Sequence, residues 1–305
     1  MNCGNGLKAC LRTCPRMSDM LPRLKPNPIP TLHLVPEYSA TGRLAEVYAK
    51  TKAGLGVPWM GVVAMAFAQY PRFYERLWTA LAPVVGSEAF ADACRKLRDA
   101  AEAEAAGLAP SALSKDLLGL GYSAEELDEI RACNEVFSVG NMPYVLMATL
   151  ARLLLEGQVW TGTGPIVATG TAQEAGPKPT LIEPHHAEAE LTEIYRDIRT
   201  TLGLPFVNTD YRAFARWASY FKTAWFDLKP LIQSNSYVPS VTRVHQAAVS
   251  LSQDLPNVTG LTSDDLRAAA SDDASLDEVL SVVRLFQWLL PGLAVNVACF
   301  RTQLM

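Results

Sequence analysis

Two polar side chains stand out as able to do chemistry in this 305-residue chain: the carboxylate of Asp210 and the amide of Asn141. A carboxylate can take a proton from water, and an amide beside it can orient that water or fix a polar group on a substrate. Asp210 sits in VNTDYRAFARW, directly after Asn208 and Thr209, and Asn141 sits in SVGNMPY. Each also has an ordinary reading. Asp210 is acceptable as a helix-start acid favoured by the dipole, with Asn208 or Thr209 as N-cap. Asn141, between Gly140 and Pro143, is acceptable as a turn residue.

An internal repeat bears on both readings. Residues 44–83 align without a gap onto 191–230 at a constant offset of 147; Leu44/Leu191, Tyr48/Tyr195, Gly56/Gly203, Pro58/Pro205, Trp78/Trp225 and Pro83/Pro230 coincide. In that frame the counterpart of Asp210 is apolar Val63, and its segment MGVVAMAF opens with no polar cap. Residues 127–150 align in the same way onto 276–299, placing Phe137 opposite Phe286 and Asn141 opposite Leu290. Equivalent positions in a duplicated scaffold share their surroundings, so a carboxylate at an apolar position needs partners or a function.

The elements that must hold these residues are helices. Sustained β alternation is missing, Ala and Leu dominate, and the fold class is all-α. Residues 41–54 read as a helix stopped by the G-x-P triplet Gly56–Pro58, as Gly203–Pro205 stops its counterpart. A long apolar helix follows in each half, over 60–82 and 208–229. Further helices are expected at 87–106, 110–119, 124–137 and 142–156, then at 239–253, 262–270, 275–290 and 292–304. The domain organisation that follows is a flexible N-terminal extension (1–35), a helical repeat (36–156), a Gly-, Thr- and Pro-rich linker (157–183) and a second repeat (184–305).

Composition narrows the function. A net charge of −4 and a pI near 5.7 argue against a nucleic-acid-binding surface. The apolar stretches 142–155 and 285–300 are short for a bilayer and read as buried helices, so no membrane association is expected. With no stretch resembling a secretory signal, a cytoplasmic location is the default. Cys3, Cys10 and Cys14 lack the paired CxxC spacing of a zinc site, and no metal is expected. His33 and His245 are isolated, His185 and His186 read as solvated caps, and neither a Ser-His-Asp order nor HExxH occurs. The tryptophans fall mostly at core spacing; Trp59, which follows Pro58 before a long helix, is the exception.

Taken together, GVPWMGVVAMAFAQYPRFYERLW, VFSVGNMPYVLMATL and the NTDYRAFARW segment resemble the group I 2-haloacid dehalogenases, which are unrelated to the Rossmann-type superfamily of similar name. The resemblance covers residues 36–305. It implies two tandem helical repeats forming a pseudo-dimer with one active site between them, no cofactor, and a homodimer. It implies hydrolysis of short 2-haloalkanoic acids, D and/or L, to 2-hydroxyalkanoic acids by direct attack of water with inversion. Asp210 and Asn141 match the family's catalytic pair, and Trp59, Gly61, Val62, Tyr144, Asn208 and Thr209 match its substrate-contacting residues. The sequence departs from the family pattern at Val62, where an aromatic residue is expected. A covalent route with Asp210 as nucleophile is chemically open. So is a non-catalytic or divergent relative that binds another small carboxylic acid. Arg212 and Arg216 are candidates to attract an anion, or members of a solvated face.

Overall fold

The computed structural model describes residues 21–169 and 176–305; the leader cysteines Cys3, Cys10 and Cys14 lie outside them. The described residues are helical, with no strand among them. The first half holds α1 (Gly42–Leu55), α2 (Val62–Phe67), α3 (Pro71–Val85), α4 (Glu88–Leu108), α5 (Ser114–Gly119) and α6 (Ala124–Leu155). The second half holds α7 (Ala189–Leu202), α8 (Thr209–Phe214), α9 (Ala218–Ile232), α10 (Tyr237–Asp254), α11 (Ser263–Ser271) and α12 (Leu276–Gln303). The bounds of α7, α8 and α9 lie 147 residues beyond those of α1, α2 and α3, at both ends of each helix. α1 and α7 end on Gly56 and Gly203, whose φ values of 65° and 61° are open to glycine at little cost.

α6 and α12 form the centre, packed on each other and flanked by α4 and α10. Every residue from Gly140 to Leu155 and from Leu289 to Phe300 is buried. Both helices are long and apolar enough to cross a membrane, but 94% and 89% of their apolar windows are buried inside the fold, so they are core helices. Here the structure corrects the expected boundaries. The helices expected at 124–137 and 142–156 are one, as are those at 275–290 and 292–304, and Pro143 and Pro291 lie inside them. An interior proline costs a helix roughly 3 kcal/mol. Burying more than a full turn of apolar side chains on each side offsets that.

The opposite error occurs in the long helices expected over 60–82 and 208–229, each of which is two helices. Tyr70 and Trp217 leave the helical region at φ −116°, ψ 78° and φ −110°, ψ 80°, and α3 and α9 start on the next residue. Pro71 explains the first break, since a proline disfavours helical backbone at the residue before it. The second has Ala218 there and no local cause; burial of the Trp217 ring accompanies it.

The chain entering each half is pinned identically. Val35 N–H donates to Met65 O (3.1 Å) and Ile182 N–H to Arg212 O (2.9 Å). The Tyr48 and Tyr195 hydroxyls donate to the carbonyls of Val35 (2.8 Å) and Ile182 (2.7 Å). The extension is anchored further upstream. Leu21 is buried with its carbonyl 2.8 Å from His245 Nε2, Pro22 O accepts from Arg152 (2.9 Å), and Arg23 Nε donates to Trp288 O (3.1 Å). Residues 21–35 therefore form a strap on the helices; a Pro-rich composition reads as loose only while its partners are unknown.

Candidate active site

α6 presents Phe137, Asn141 and Tyr144 on one face, at positions i, i+4 and i+7. Asn141 Nδ2 donates to Asp210 Oδ1 at 2.7 Å. Tyr144, one turn on, accepts from Gly61 N–H (2.8 Å) and donates to Trp59 O (2.9 Å). The Trp59 ring lies 5.1 Å from that of Phe137, which lies 5.8 Å from that of Phe214 on α8. One helix face thus holds the Trp59–Gly61 segment and the start of α8 together. Phe137 and Phe214 are walls that sequence reading did not assign to the site; the i−4 spacing of Phe137 from Asn141 is the signal that marks it.

Gly61 has a steric reason. A Cβ there would lie 2.7 Å from the Tyr144 ring, inside contact distance. Asn208 stands at the N-cap of α8 without making a capping bond, and its Oδ1 is buried with no partner among the described residues. The helix-cap reading of Asp210 therefore loses its expected companion. Thr209 Oγ1 accepts from Arg212 (3.2 Å).

Asp210 is 2% exposed. Burial pushes its pKa up to about 6, against the hydrogen bond from Asn141, a backbone bond and the positive charge of Arg212, all of which favour the carboxylate. No side chain among the described residues bonds Oδ2, so that oxygen is left to take a proton. Arg212 holds Glu183 with two bonds (2.7 and 2.6 Å), which spends most of its charge locally. Arg216 is a surface residue paired with Glu129 (3.1 Å). Tyr144 is held neutral, its pKa raised by burial.

A cavity of about 810 Å³ opens beside this cluster, between the strap (Ile29, Leu32), Val62, Phe206 and Arg212. Its walls include Val62 and Arg212, neighbours of Gly61 and Asp210, but not Asp210 or Asn141 themselves. Among the described residues no group of three His, Cys, Asp or Glu side chains is placed to hold a metal.

A buried carboxylate with a raised pKa, braced by an amide and close to aromatic rings, on an all-helical frame, is an arrangement able to do acid–base chemistry. The relatives make this specific. The chain is 45% identical over 248 residues to an (R)-2-haloacid dehalogenase of Rhizobium sp. (strain NHG3), covering 80% of this chain and 96% of that one. It is 35% identical over 280 residues to an (R)-2-haloacid dehalogenase of Pseudomonas putida, covering 88% and 91%. A solved D-2-haloacid dehalogenase in complex with L-LA superposes with a TM-score of 0.85 at 34% identity, covering 94% of this chain and all of that one. No family model matches the chain. The chain belongs to the 2-haloacid dehalogenases, in their all-helical form.

Proposed function

We propose that the chain hydrolyses short 2-haloalkanoic acids to 2-hydroxyalkanoic acids, with Asp210 as general base. The bond from Asn141 to Asp210, buried inside a shell of aromatic rings, is the observation that carries this reading. A water held by the Asn141 carbonyl gives its proton to Asp210 Oδ2 as its oxygen attacks Cα. The C–O bond forms, the carbon–halogen bond breaks, the electron pair leaves with the halide, and the configuration at Cα inverts. A pKa near 6 leaves Asp210 ionised at neutral pH yet more basic than an exposed aspartate, which suits the task. Excluding bulk water and holding the reactants in line supply the rest.

Trp59, Gly61, Val62, Tyr144, Asn208 and Thr209 are the proposed substrate contacts. Their support is proximity: Asn208 and Thr209 precede Asp210, and Tyr144 ties Trp59 and Gly61 to the helix face that carries Asn141. The names of the 45% and 35% identical relatives favour the (R)-acid as substrate. We further infer that the two sets of helices are a tandem duplication paired as a pseudo-dimer around this site. The matching helix bounds and matching pins on the entry segments support it. The homodimer implied by resemblance belongs to the same proposal, and sedimentation velocity tests it.

The experiment is halide release from (R)- and (S)-2-chloropropionate, with the wild type and Asp210→Asn compared. Release from the (R)-acid with an (S)-hydroxy product, lost in the variant, is the expected result; full activity in the variant would overturn the role of Asp210. A single turnover in H₂¹⁸O with enzyme in excess separates the routes. Direct attack labels the first product molecule, whereas an ester on Asp210 delivers unlabelled oxygen first.

A further inference from the structure

A second polar cluster is built on the far side of α8. Tyr211, which follows Asp210, accepts at its hydroxyl from Asn296 Nδ2 (2.9 Å), and Asn296 Oδ1 accepts from the Tyr237 hydroxyl (2.8 Å). All three side chains are buried and line a cavity of about 200 Å³ whose other walls are largely apolar, among them Leu204, Leu289 and Leu293. Arg23 of the strap closes one side. Its Nε donates to Trp288 O, and its guanidinium lies 5.2 Å from the Trp288 ring centre. Lys25 Nζ is 4.9 Å from the same ring.

Two features mark the cluster as a receptor. The first is a charge without a counter-charge. Arg23 is half-buried, burial depresses its pKa, and no acidic side chain lies within salt-bridge distance among the described residues. A guanidinium withdrawn from water in this way calls for an anion. The second is a gap at the free end of that charge, where the Tyr237 hydroxyl is a wall and not a donor because its proton is given to Asn296. A point one bond from Gly292 Cα is 3.5 Å from Arg23 Nη2 and 3.3 Å from the Tyr237 hydroxyl, so the missing side chain of Gly292 leaves room where the two meet. The Tyr211 hydroxyl proton has no acceptor among the described residues, since its oxygen is itself the acceptor from Asn296.

The other half lacks all of this. Counterparts of Thr201, Leu202, Ile232, Trp288 and Gly292, namely Gly54, Leu55, Val85, Val139 and Pro143, line a cavity of about 40 Å³. Ala64, Phe90 and Met147 stand there in place of Tyr211, Tyr237 and Asn296. A polar set present in one half alone is the kind of exception that singles out Asp210.

We propose that the cavity bounded by Arg23, Tyr211, Tyr237 and Gly292 is a second binding site, for a small monovalent anion. Halides and short carboxylates share the chemistry it recognises: one negative charge, a small radius and tolerance of apolar walls. The reaction consumes a short carboxylate and releases a halide and another carboxylate, so both are at hand. The site lies one residue along α8 from the base, and its occupancy fixes the Tyr211 ring.

Bromide is the probe. Crystals of the full chain soaked in sodium bromide, with and without excess sodium propionate, are measured at the bromine absorption edge. Isothermal titration with each salt follows on the wild type, Arg23→Gln and Gly292→Ala. An anomalous peak within 4 Å of Arg23 Nη2, inside the cavity that Tyr211 lines, is expected, with affinity falling at least tenfold in both variants. Loss of that peak in propionate identifies a short-carboxylate site, and its persistence a halide site. No peak there in bromide alone, or affinity unchanged in Gly292→Ala, overturns the proposal. Gly292→Ala keeps Arg23 and favours the helix, so it remains informative if the strap variant misfolds. Turnover is not the readout, so failure here leaves the assignment of Asp210 untouched, and loss of that assignment leaves the bromide result standing.

Discussion

The starts of α2 and α8 are nearly the same piece of backbone put to two uses. Gly61 and Asn208 precede them at φ −62°, ψ 145° and φ −63°, ψ 157°, and neither makes a side-chain cap. Both helices have six residues, and both are followed by a buried aromatic residue that breaks the chain before the next helix. Val63 and Asp210 occupy the second position, each 2% exposed. At α2 an isopropyl group fills that place without electrostatic cost. At α8 a carboxylate fills it, and the cost is visible in a pKa raised to about 6. The backbone does not set the two apart; a charge placed in a hydrophobic position does, with an amide 2.7 Å away.

Making α8 resemble α2 electrically gives the largest expected effect. Asp210→Asn should lower kcat by roughly 10²–10⁴-fold, the range that general-base catalysis supplies. The same change should stabilise the protein at pH 8. The carboxyl has a folded pKa of about 6 against an ordinary 3.8, so its stabilising contribution is complete below 3.8 and lost as pH rises through 6. A neutral amide escapes that loss, by about 1–3 kcal/mol. Denaturant unfolding at pH 8 and pH 4 measures it; a variant less stable than wild type at pH 8 would break the comparison.

Asn141→Ala should cost roughly 10–100-fold in kcat/KM, matching about 1.5–3 kcal/mol for a hydrogen bond to a charged group. The pH profile distinguishes this from simple damage. In the wild type kcat/KM should rise with pH through about 6 as Asp210 ionises. The amide donates to the carboxylate and favours its charged form, so its removal should move that limb to higher pH. A limb that stays in place would assign Asn141 to packing alone.

Gly61 sharpens the comparison sterically. Its counterpart, Asn208, carries a side chain, and the counterpart of Tyr144 is Leu293. Gly61→Ala drives a methyl into the Tyr144 ring and should cost about 1–3 kcal/mol of stability, with KM raised more than kcat is lowered. Thermal unfolding alongside steady-state kinetics gives both numbers.

What the sequence revealed followed from the same pairing. Neither Asp210 nor Asn141 is unusual alone; each becomes an exception only against an apolar counterpart. Helix ends were legible where glycine forced them, at Gly56 and Gly203, and illegible where burial overruled a local signal. Pro143 and Pro291 look like stops but lie inside two helices of the core. Trp217 breaks its helix with no proline after it, so only tertiary packing carries that information. Arg212 looked free to meet an anion because Glu183, 29 residues upstream, gives no sign in sequence of folding back onto it. Asn296 read as an interruption in an apolar run, and its two tyrosine partners come from different helices.

The smallest effect tests whether the matched entry segments are equal in energy as well as in geometry. Tyr48 and Tyr195 are each 2% exposed, and each donates one hydrogen bond to a carbonyl of the segment entering its half. Replacing either by Phe keeps the ring and leaves that carbonyl short of a donor, which should cost about 0.5–1.5 kcal/mol in each case. The two variants should part company in kinetics. Tyr195 lines the 810 Å³ cavity beside Val62 and Arg212, and Tyr48 does not. Tyr195→Phe should therefore raise KM modestly, while Tyr48→Phe leaves it unchanged. Equal stability losses with a KM change confined to Tyr195→Phe would mean that one cavity serves the second half alone. A KM change in both variants would mean that the strap, pinned through Val35, also shapes the path to Asp210.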